Sequence, residues 1–125
     1  MKVNELRIGN RLSYEGSDCI VLAVASHVFD WDLELGYFPD SIGFQRKIED
    51  VKPIPLTEEW LFKFGFCKTK RASFVFGGAL KLRYNGSGNS FAVFIFRKQV
   101  LSITHVHQLQ NIYFVLSGKE LTIND

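Results

Sequence analysis

The stretch "THVHQLQNIYFVLSG", from Thr104 to Gly118, carries the strongest structural pattern in the sequence. Its apolar residues recur every three or four positions, which is the spacing of one face of an α-helix. Gly118 follows the pattern directly, as expected of a residue that ends a helix. The sequence therefore predicts a closing helix over 105–117. The residues expected to face a core are Val106, Leu109, Ile112, Tyr113 and Leu116.

The same stretch holds two of the three histidines, and His-x-His is a spacing that metal sites use. On a helix, residues two apart point about 200° away from each other, so His105 and His107 would not hold one ion. We expect His105 on the apolar stripe, and His107 on the polar side together with Gln108 and Asn111. His27 and the two cysteines offer no second matching spacing, so no metal site and no cofactor is predicted.

Upstream of the helix, four apolar runs are separated by short turns. The runs are 73–77, 79–84, 91–96 and 100–103, and the turns are "GG", "NGSGNS" and "RKQ". Such short connections predict an antiparallel meander. The run "FAVFIF" (91–96) is apolar at every position, which indicates a central strand covered on both faces. We expect the closing helix to cover one face of this meander.

A short helix is predicted over 57–64, between the meander and the N-terminal half. Pro53 and Pro55 interrupt the preceding structure, and Thr57 is a candidate N-cap before two glutamates in the first turn. Gly65 is a candidate helix terminator. The aromatic residues of this segment also alternate as in a strand, but the cap and the glutamates favour the helix. Trp60, Leu61 and Phe64 are then expected in the core.

The first half of the chain has the composition of β structure. Residues 11–15, 19–29 and 44–54 carry β-branched and aromatic runs, and 30–43 is predicted to be a long loop because of Gly36, Pro39 and Gly43. The predicted fold class is α+β. The N-terminal unit (1–54) is expected to be a small SH3-like barrel or a curled sheet. It precedes a unit (55–125) with a helix, a four-stranded antiparallel meander and the closing helix.

Composition and charge indicate a globular intracellular protein. The 125 residues include twelve phenylalanines, and 22% of residues are charged. Residues 1–54 hold six Lys/Arg and nine Asp/Glu, whereas residues 55–125 hold nine and four. The charged start and the lack of a long apolar run predict a cytoplasmic protein without a membrane partner. Cys19 and Cys67 are expected to be reduced, buried thiols, with a disulfide as the alternative.

No motif in the sequence specifies catalysis. The acidic string "DWDLELG" (30–36) resembles a calcium loop, but that loop needs Gly at its sixth position and Glu at its twelfth, where Leu35 and Ser41 stand. The string "NGSGNS" (85–90) lacks the GK[ST] ending of a phosphate loop. No nucleophile-elbow string occurs. No catalytic residue is predicted, and the protein is expected not to be an enzyme.

Three strings have a distinctive character: "MKVNELRIGN", "PIPLTEEWLFKFGF" and "HVHQLQNIYFVLSGKELT". Together they resemble a set of small uncharacterised proteins of Bacteroidetes genomes, some from phage-like or other mobile elements. The resemblance covers about a third of the chain, namely both ends and the middle linker. It implies an intracellular accessory protein, carries over no catalytic residue, and matches 68–104 only in pattern.

Two binding hypotheses follow, with different partners. The first is a non-enzymatic protein-interaction module, because the predicted loop 30–43 displays the aromatic residues Trp31, Tyr37 and Phe38, and interfaces use such anchors. The alternative is that these residues fold back onto the barrel. The partner protein, the process and the oligomeric state are not specified by the sequence.

The second hypothesis is nucleic-acid binding by the basic half. Its candidate residues are Lys68, Lys70, Arg71, Lys81, Arg83, Arg97 and Lys98. If they converge on one face, they form a cationic stripe with strongly salt-dependent affinity. The sequence has no recognition-helix signature, and "FAVFIF" lacks the pattern of an RNA-stacking sheet. The other interpretation is that these charges are solvated surface.

Overall fold

The structure is a computed structural model that describes residues 1–25, 30–37, 42–69, 73–76, 80–86 and 89–123. Within those residues the chain forms ten β-strands and two α-helices. The N-terminal strands are β1 (Arg11–Tyr14), β2 (Ser17–Val24), β3 (Leu33–Tyr37), β4 (Phe44–Arg46) and β5 (Lys52–Pro53). They are followed by α1 (Glu58–Lys63), β6 (Cys67–Lys68), β7 (Ser73–Phe76), β8 (Leu80–Tyr84), β9 (Phe91–Ile95), β10 (Lys98–Ile103) and α2 (Val106–Ser117).

These elements form two compact units, and the α+β class is therefore confirmed. The N-terminal unit comprises Met1–Ile54 and Val106–Glu120, and the meander unit comprises Pro55–His105 and Leu121–Asp125. Each unit contains one antiparallel sheet. No helix in the described part of the chain is both long and apolar enough to cross a membrane.

The sheet of the N-terminal unit has the strand order β4-β3-β2-β1-β5. The hairpin β1–β2 turns at Glu15 and Gly16, within the predicted turn "EGSD", and pairs Tyr14 with Ser17. The last strand returns to the first, because Leu12 in β1 pairs with Pro53 in β5. The core of this unit is aliphatic, and its buried residues are Leu6, Leu12, Cys19, Val21, Leu33, Leu35 and Val51.

The predicted loop over 30–43 is wrong, because β3 lies inside it. Gly36 suggested irregular structure, but it pairs with Ile20 in β2. Leu33 and Leu35 alternate with Glu34 and are fully buried, as expected of a strand with one face in the core. β3 also pairs with β4 on its other edge, so tertiary pairing outweighs the local preference for a turn.

The meander unit agrees more closely with the sequence. Its sheet has the order β10-β9-β8-β7-β6, which confirms the antiparallel meander and adds the short strand β6. Helix α1 is capped by Thr57, whose hydroxyl accepts from the Trp60 N–H. The helix ends before Gly65, which has a φ of 91°. Trp60, Leu61 and Phe64 are buried as predicted. In β9, Phe91, Ala92 and Val93 are buried.

Helix α2 is confirmed in its position and in its end at Gly118, which has a φ of 71°. The predicted orientation is partly wrong. His107 and Gln110 are buried, whereas Leu116 is exposed. Helix α2 groups with Met1–Ile54 and packs beside β1, whereas the sequence had assigned it to the meander unit. Its polar side forms hydrogen bonds with residues 5–11. The buried Gln110 side chain accepts from the Arg11 N–H, and the Asn111 side chain donates to the Glu5 carbonyl.

Candidate functional site

Three aromatic side chains form a continuous row on the N-terminal unit. The Phe44 ring lies between two tyrosine rings, with centroid distances of 5.4 Å to Tyr14 and 5.1 Å to Tyr37. Strand pairing places β4, which carries Phe44, directly beside β3, which carries Tyr37. Tyr14 and Phe44 pack against the aliphatic core with part of each ring in solvent, and Tyr37 is 40% exposed. We call Tyr14, Phe44, Tyr37 and Arg46 the aromatic row.

Arg46 supplies a fixed positive charge within the aromatic row. Its guanidinium carbon lies 4.9 Å from the ring centroids of both Tyr14 and Phe44. Its Nε also donates to the Tyr14 hydroxyl oxygen at 2.7 Å. A cation over ring faces is attracted by their quadrupoles, and the hydrogen bond fixes its direction. The row thus combines apolar ring surface with one oriented cation, which suits an apolar peptide that carries a carboxylate.

The residues predicted for protein binding are only partly brought together. Tyr37 lies in the aromatic row, and Trp31 is half-buried just before β3. Phe38 lies outside the described residues. Sequence reasoning missed Tyr14, Phe44 and Arg46. These three residues lie on strands far apart in the chain, and only the ring and cation contacts of the folded unit show that they meet.

The candidate nucleic-acid-binding residues are divided between the two faces of the meander sheet. Lys81 and Arg83 share one face, as predicted from their alternation in β8. Lys68 lies on the other face, since it pairs with Phe74, which in turn pairs with Leu82. Its ammonium contacts the Glu58 carboxylate at 2.8 Å.

Two further basic candidates within the described residues lie away from β8. Arg97 and Lys98 lie where β9 turns into β10, and Arg97 has a φ of 72°. Lys70 and Arg71 lie outside the described residues. The candidate residues that the structure describes therefore fall into three groups. Two lie together on β8, two lie at the β9–β10 turn, and Lys68 is paired with a glutamate.

A polar clamp joins α2 to the segment before β1. The Gln110 side chain accepts from the Arg11 N–H at 2.8 Å and donates to the Gly9 carbonyl at 3.1 Å. The Asn10 side chain accepts from the Arg7 N–H at 2.7 Å and donates to Asn111 Oδ1 at 2.8 Å. Both amides are buried, so each makes the bonds that its burial requires.

The exposed side of this clamp is ionic. Arg7 pairs with Glu120 at 2.6 Å, and its guanidinium carbon lies 4.3 Å from the centroid of the Phe114 ring. Its Nε also donates to Asn111 Oδ1 at 3.2 Å. Two of the distinctive strings, "MKVNELRIGN" and "HVHQLQNIYFVLSGKELT", therefore contact each other here. The polar and charged residues of these strings, such as Arg7, Gln110 and Glu120, connect α2 to the start of the chain. Their role is therefore structural.

His107 lies near an acidic residue within the same unit. Its Nε2 is 3.9 Å from Glu5 Oε1, and its side chain is 2% exposed. The Lys2 N–H donates to the Glu5 carboxylate at 2.7 Å and so holds the pKa of Glu5 below its ordinary value. The prediction that His107 faces water is wrong, because residues that precede β1 cover this side of α2.

The two cysteines occupy different environments. Cys19 is buried, donates to the Leu12 carbonyl at 3.4 Å, and has a pKa raised to about 11, first by burial and then by Asp18. Cys67 is exposed, in contrast to the prediction that both thiols are buried. Both are free thiols. Since the thiolate is the reactive form, the environment of Cys19 suppresses its chemistry at neutral pH.

The described ranges contain no group of three or more His, Cys, Asp or Glu residues placed to hold a metal ion. Comparison with models of known families finds no match. Searches for similar curated proteins and for similar solved structures also find none.

Proposed function

We propose that the protein is a non-enzymatic interaction module that binds an extended segment of a partner protein across the aromatic row. The observation that carries this proposal is the Arg46 guanidinium held 4.9 Å from two ring centroids at the surface of the N-terminal unit. Aromatic and arginine side chains are the residues that most often dominate binding energy at interfaces. As part of the same proposal, the chain is a cytoplasmic accessory protein similar to small proteins of Bacteroidetes genomes, some of which come from mobile elements.

The topology of the N-terminal unit supports an SH3-like arrangement. In the strand order β4-β3-β2-β1-β5, the last strand pairs with the first and the other neighbours follow chain order. A 3-10 turn over Ile48–Asp50 precedes that last strand, so the chain crosses back to β1 in few residues. Domains of this kind bind proline-rich peptides in aromatic-lined grooves, because such peptides are already extended when free.

The proposed partner segment is proline-rich and carries an acidic residue. Proline rings pack on aromatic faces without a further loss of backbone freedom, which suits the three rings of the aromatic row. The acidic residue would pair with Arg46, whose position is fixed by Tyr14. Because Arg46 is already held in place before binding, forming this ion pair costs less side-chain entropy.

Tyr37→Ser should weaken the binding of such peptides by about tenfold or more, which corresponds to about 1.4 kcal/mol. The substitution removes the most accessible ring of the row, and truncation of an aromatic anchor commonly costs this much. Peptides selected from a random display library on the full-length protein would be measured against each variant by calorimetry. They should be enriched in proline and in Asp or Glu.

Phe114→Ser is the matched control for this experiment. Phe114 belongs to the same unit and is 39% exposed, close to the 40% of Tyr37, but it lies outside the aromatic row. The selected peptides should bind this variant as they bind the wild type. If both variants bind equally, or if selection yields no peptide that depends on Tyr37, the proposed function is wrong.

A second candidate function, nucleic-acid binding, is favoured by one observation on the meander unit. The Lys81 ammonium lies 5.8 Å from the Phe94 ring centroid, on the sheet face that also carries Arg83. A half-buried ring beside two cations can stack with a base while the cations contact phosphates.

In gel shifts at low salt, Lys81→Ala combined with Arg83→Ala should abolish binding of single-stranded DNA or RNA. Binding by the wild type should weaken steeply as salt rises, because bound phosphates release counterions. Lys63→Ala, which removes an exposed lysine of α1 on a different element, is the control. Absence of wild-type binding at low salt would exclude this function.

A further inference from the structure

The meander unit contains a cleft of about 300 Å³ that none of the functions above uses. Its floor and wall are the rings of Phe74, Phe91 and Tyr84. Its rim carries Glu58, Lys68 and Asn89. Small-molecule sites are commonly concave, mostly apolar and edged by a few polar groups, and this volume is at the lower end of their range. The cleft therefore suits a small ligand.

Ring contacts and strand pairing define the aromatic floor. Phe91 packs against Phe74 edge to face, with centroids 6.1 Å apart, and against Tyr84 at 5.5 Å. Strand pairing fixes these positions, since Phe91 lies directly opposite Tyr84 across β8 and β9. Phe74 and Phe91 are buried, whereas Tyr84 is exposed enough to form the open wall. A floor of this kind accepts an aromatic or branched apolar group without rearrangement.

The rim supplies one positive and one negative charge side by side. Lys68 Nζ lies 2.8 Å from Glu58 Oε1, and both side chains are 47% exposed. The Lys68 ammonium also lies 5.9 Å from the Phe74 ring centroid, so the ion pair borders the aromatic floor. Because the two charges are adjacent and opposite, their fields largely cancel beyond the ion pair. The cleft is therefore a poor site for a phosphate, or for any anion that carries no ammonium group.

We propose that this cleft binds a free amino acid with an aromatic or large apolar side chain. The carboxylate of the ligand pairs with Lys68, its ammonium group pairs with Glu58, and its side chain packs on Phe74, Phe91 and Tyr84. One exposed ion pair is thereby exchanged for two that border an apolar surface, where screening by water is weaker. Asn89, which also lines the cleft, offers an amide donor and acceptor.

The first test compares ligands that differ only in charge. L-Phenylalanine, phenethylamine and hydrocinnamate would be titrated into the full-length protein and followed by calorimetry and by NMR shifts of the aromatic protons. L-Phenylalanine carries both charges and should bind about tenfold more tightly than either analogue, since each lacks one ion pair. Equal binding of hydrocinnamate would show an anion site instead, and absence of binding by all three at millimolar concentration would overturn the proposal.

The second test assigns each charge to its residue. Lys68→Met should remove the preference for L-phenylalanine over phenethylamine, and Glu58→Gln should remove the preference over hydrocinnamate. Glu59→Gln is the matched control, because that carboxylate is the next in sequence but is 79% exposed and contacts Lys63 outside the cleft. The proposal is overturned if Glu59→Gln weakens binding as much as Glu58→Gln, or if neither cleft variant changes the preference.

Discussion

Replacing Gln110 with methionine should lower the free energy of unfolding of the protein by about 2–4 kcal/mol. Methionine fills a similar volume, so the change removes hydrogen bonds and leaves packing nearly intact. The Arg11 N–H and the Gly9 carbonyl would both lose the side chain that now satisfies them. Each polar group left without a partner in a buried position costs about 1–3 kcal/mol. The Gln110 side chain is 1% exposed, so water has little access as a replacement.

Urea denaturation followed by circular dichroism would measure this effect, and Gln108→Met is the matched control. Gln108 is the same residue type on the same helix, but it is only half-buried. The control should lose much less stability than the Gln110 variant. Equal losses would show that the clamp between α2 and the segment before β1 contributes nothing specific.

The clamp also shows why the sequence predicted helix α2 but not its orientation. Apolar periodicity located the helix and Gly118 its end, because both signals are local. The burial of Gln110 depends on Gly9 and Arg11, which are about a hundred residues away in the chain. An amide side chain enters a core only when backbone groups are there to receive it, and no local pattern records those groups.

The candidate binding surfaces, like helix α2, were predictable only where the sequence signal is local. Short turns between apolar runs predicted the meander, so the shared face of Lys81 and Arg83 followed from alternation. The aromatic row did not follow from the sequence beyond Tyr37, because the 30–43 segment was expected to be a loop. Once β3 pairs with β4, Phe44 is brought against Tyr37. Strand register, which depends on distant pairing, was the missing information.

Leu109→Ala and His107→Ala should both destabilise the protein strongly, by about 2–5 kcal/mol for the leucine and about 2–4 kcal/mol for the histidine. Leu109 is fully buried, and a large-to-small change there leaves a cavity that the helix cannot close. The helical pattern had placed His107 on the water side, where substitutions typically change stability by no more than about 0.5 kcal/mol. The structure buries it to 2% exposure, so the expected cost rises to that of a core position.

Val115→Ala separates these burial effects from helix propensity. Val115 lies on the same helix and is 81% exposed, so its replacement should change the free energy of unfolding by no more than about 0.5 kcal/mol. The three variants would be compared by urea denaturation at neutral pH. Their unfolding free energies should depend on urea concentration with equal slopes before the unfolding midpoints are converted to free energies. Domains of this size have only about 5–15 kcal/mol of stability, so either core variant should unfold at a clearly lower urea concentration than the wild type. A His107 variant as stable as the Val115 variant would mean that the side of α2 facing residues 5–11 is open to water, and the hydrogen bonds of Gln110 and Asn111 would then contribute little to folding.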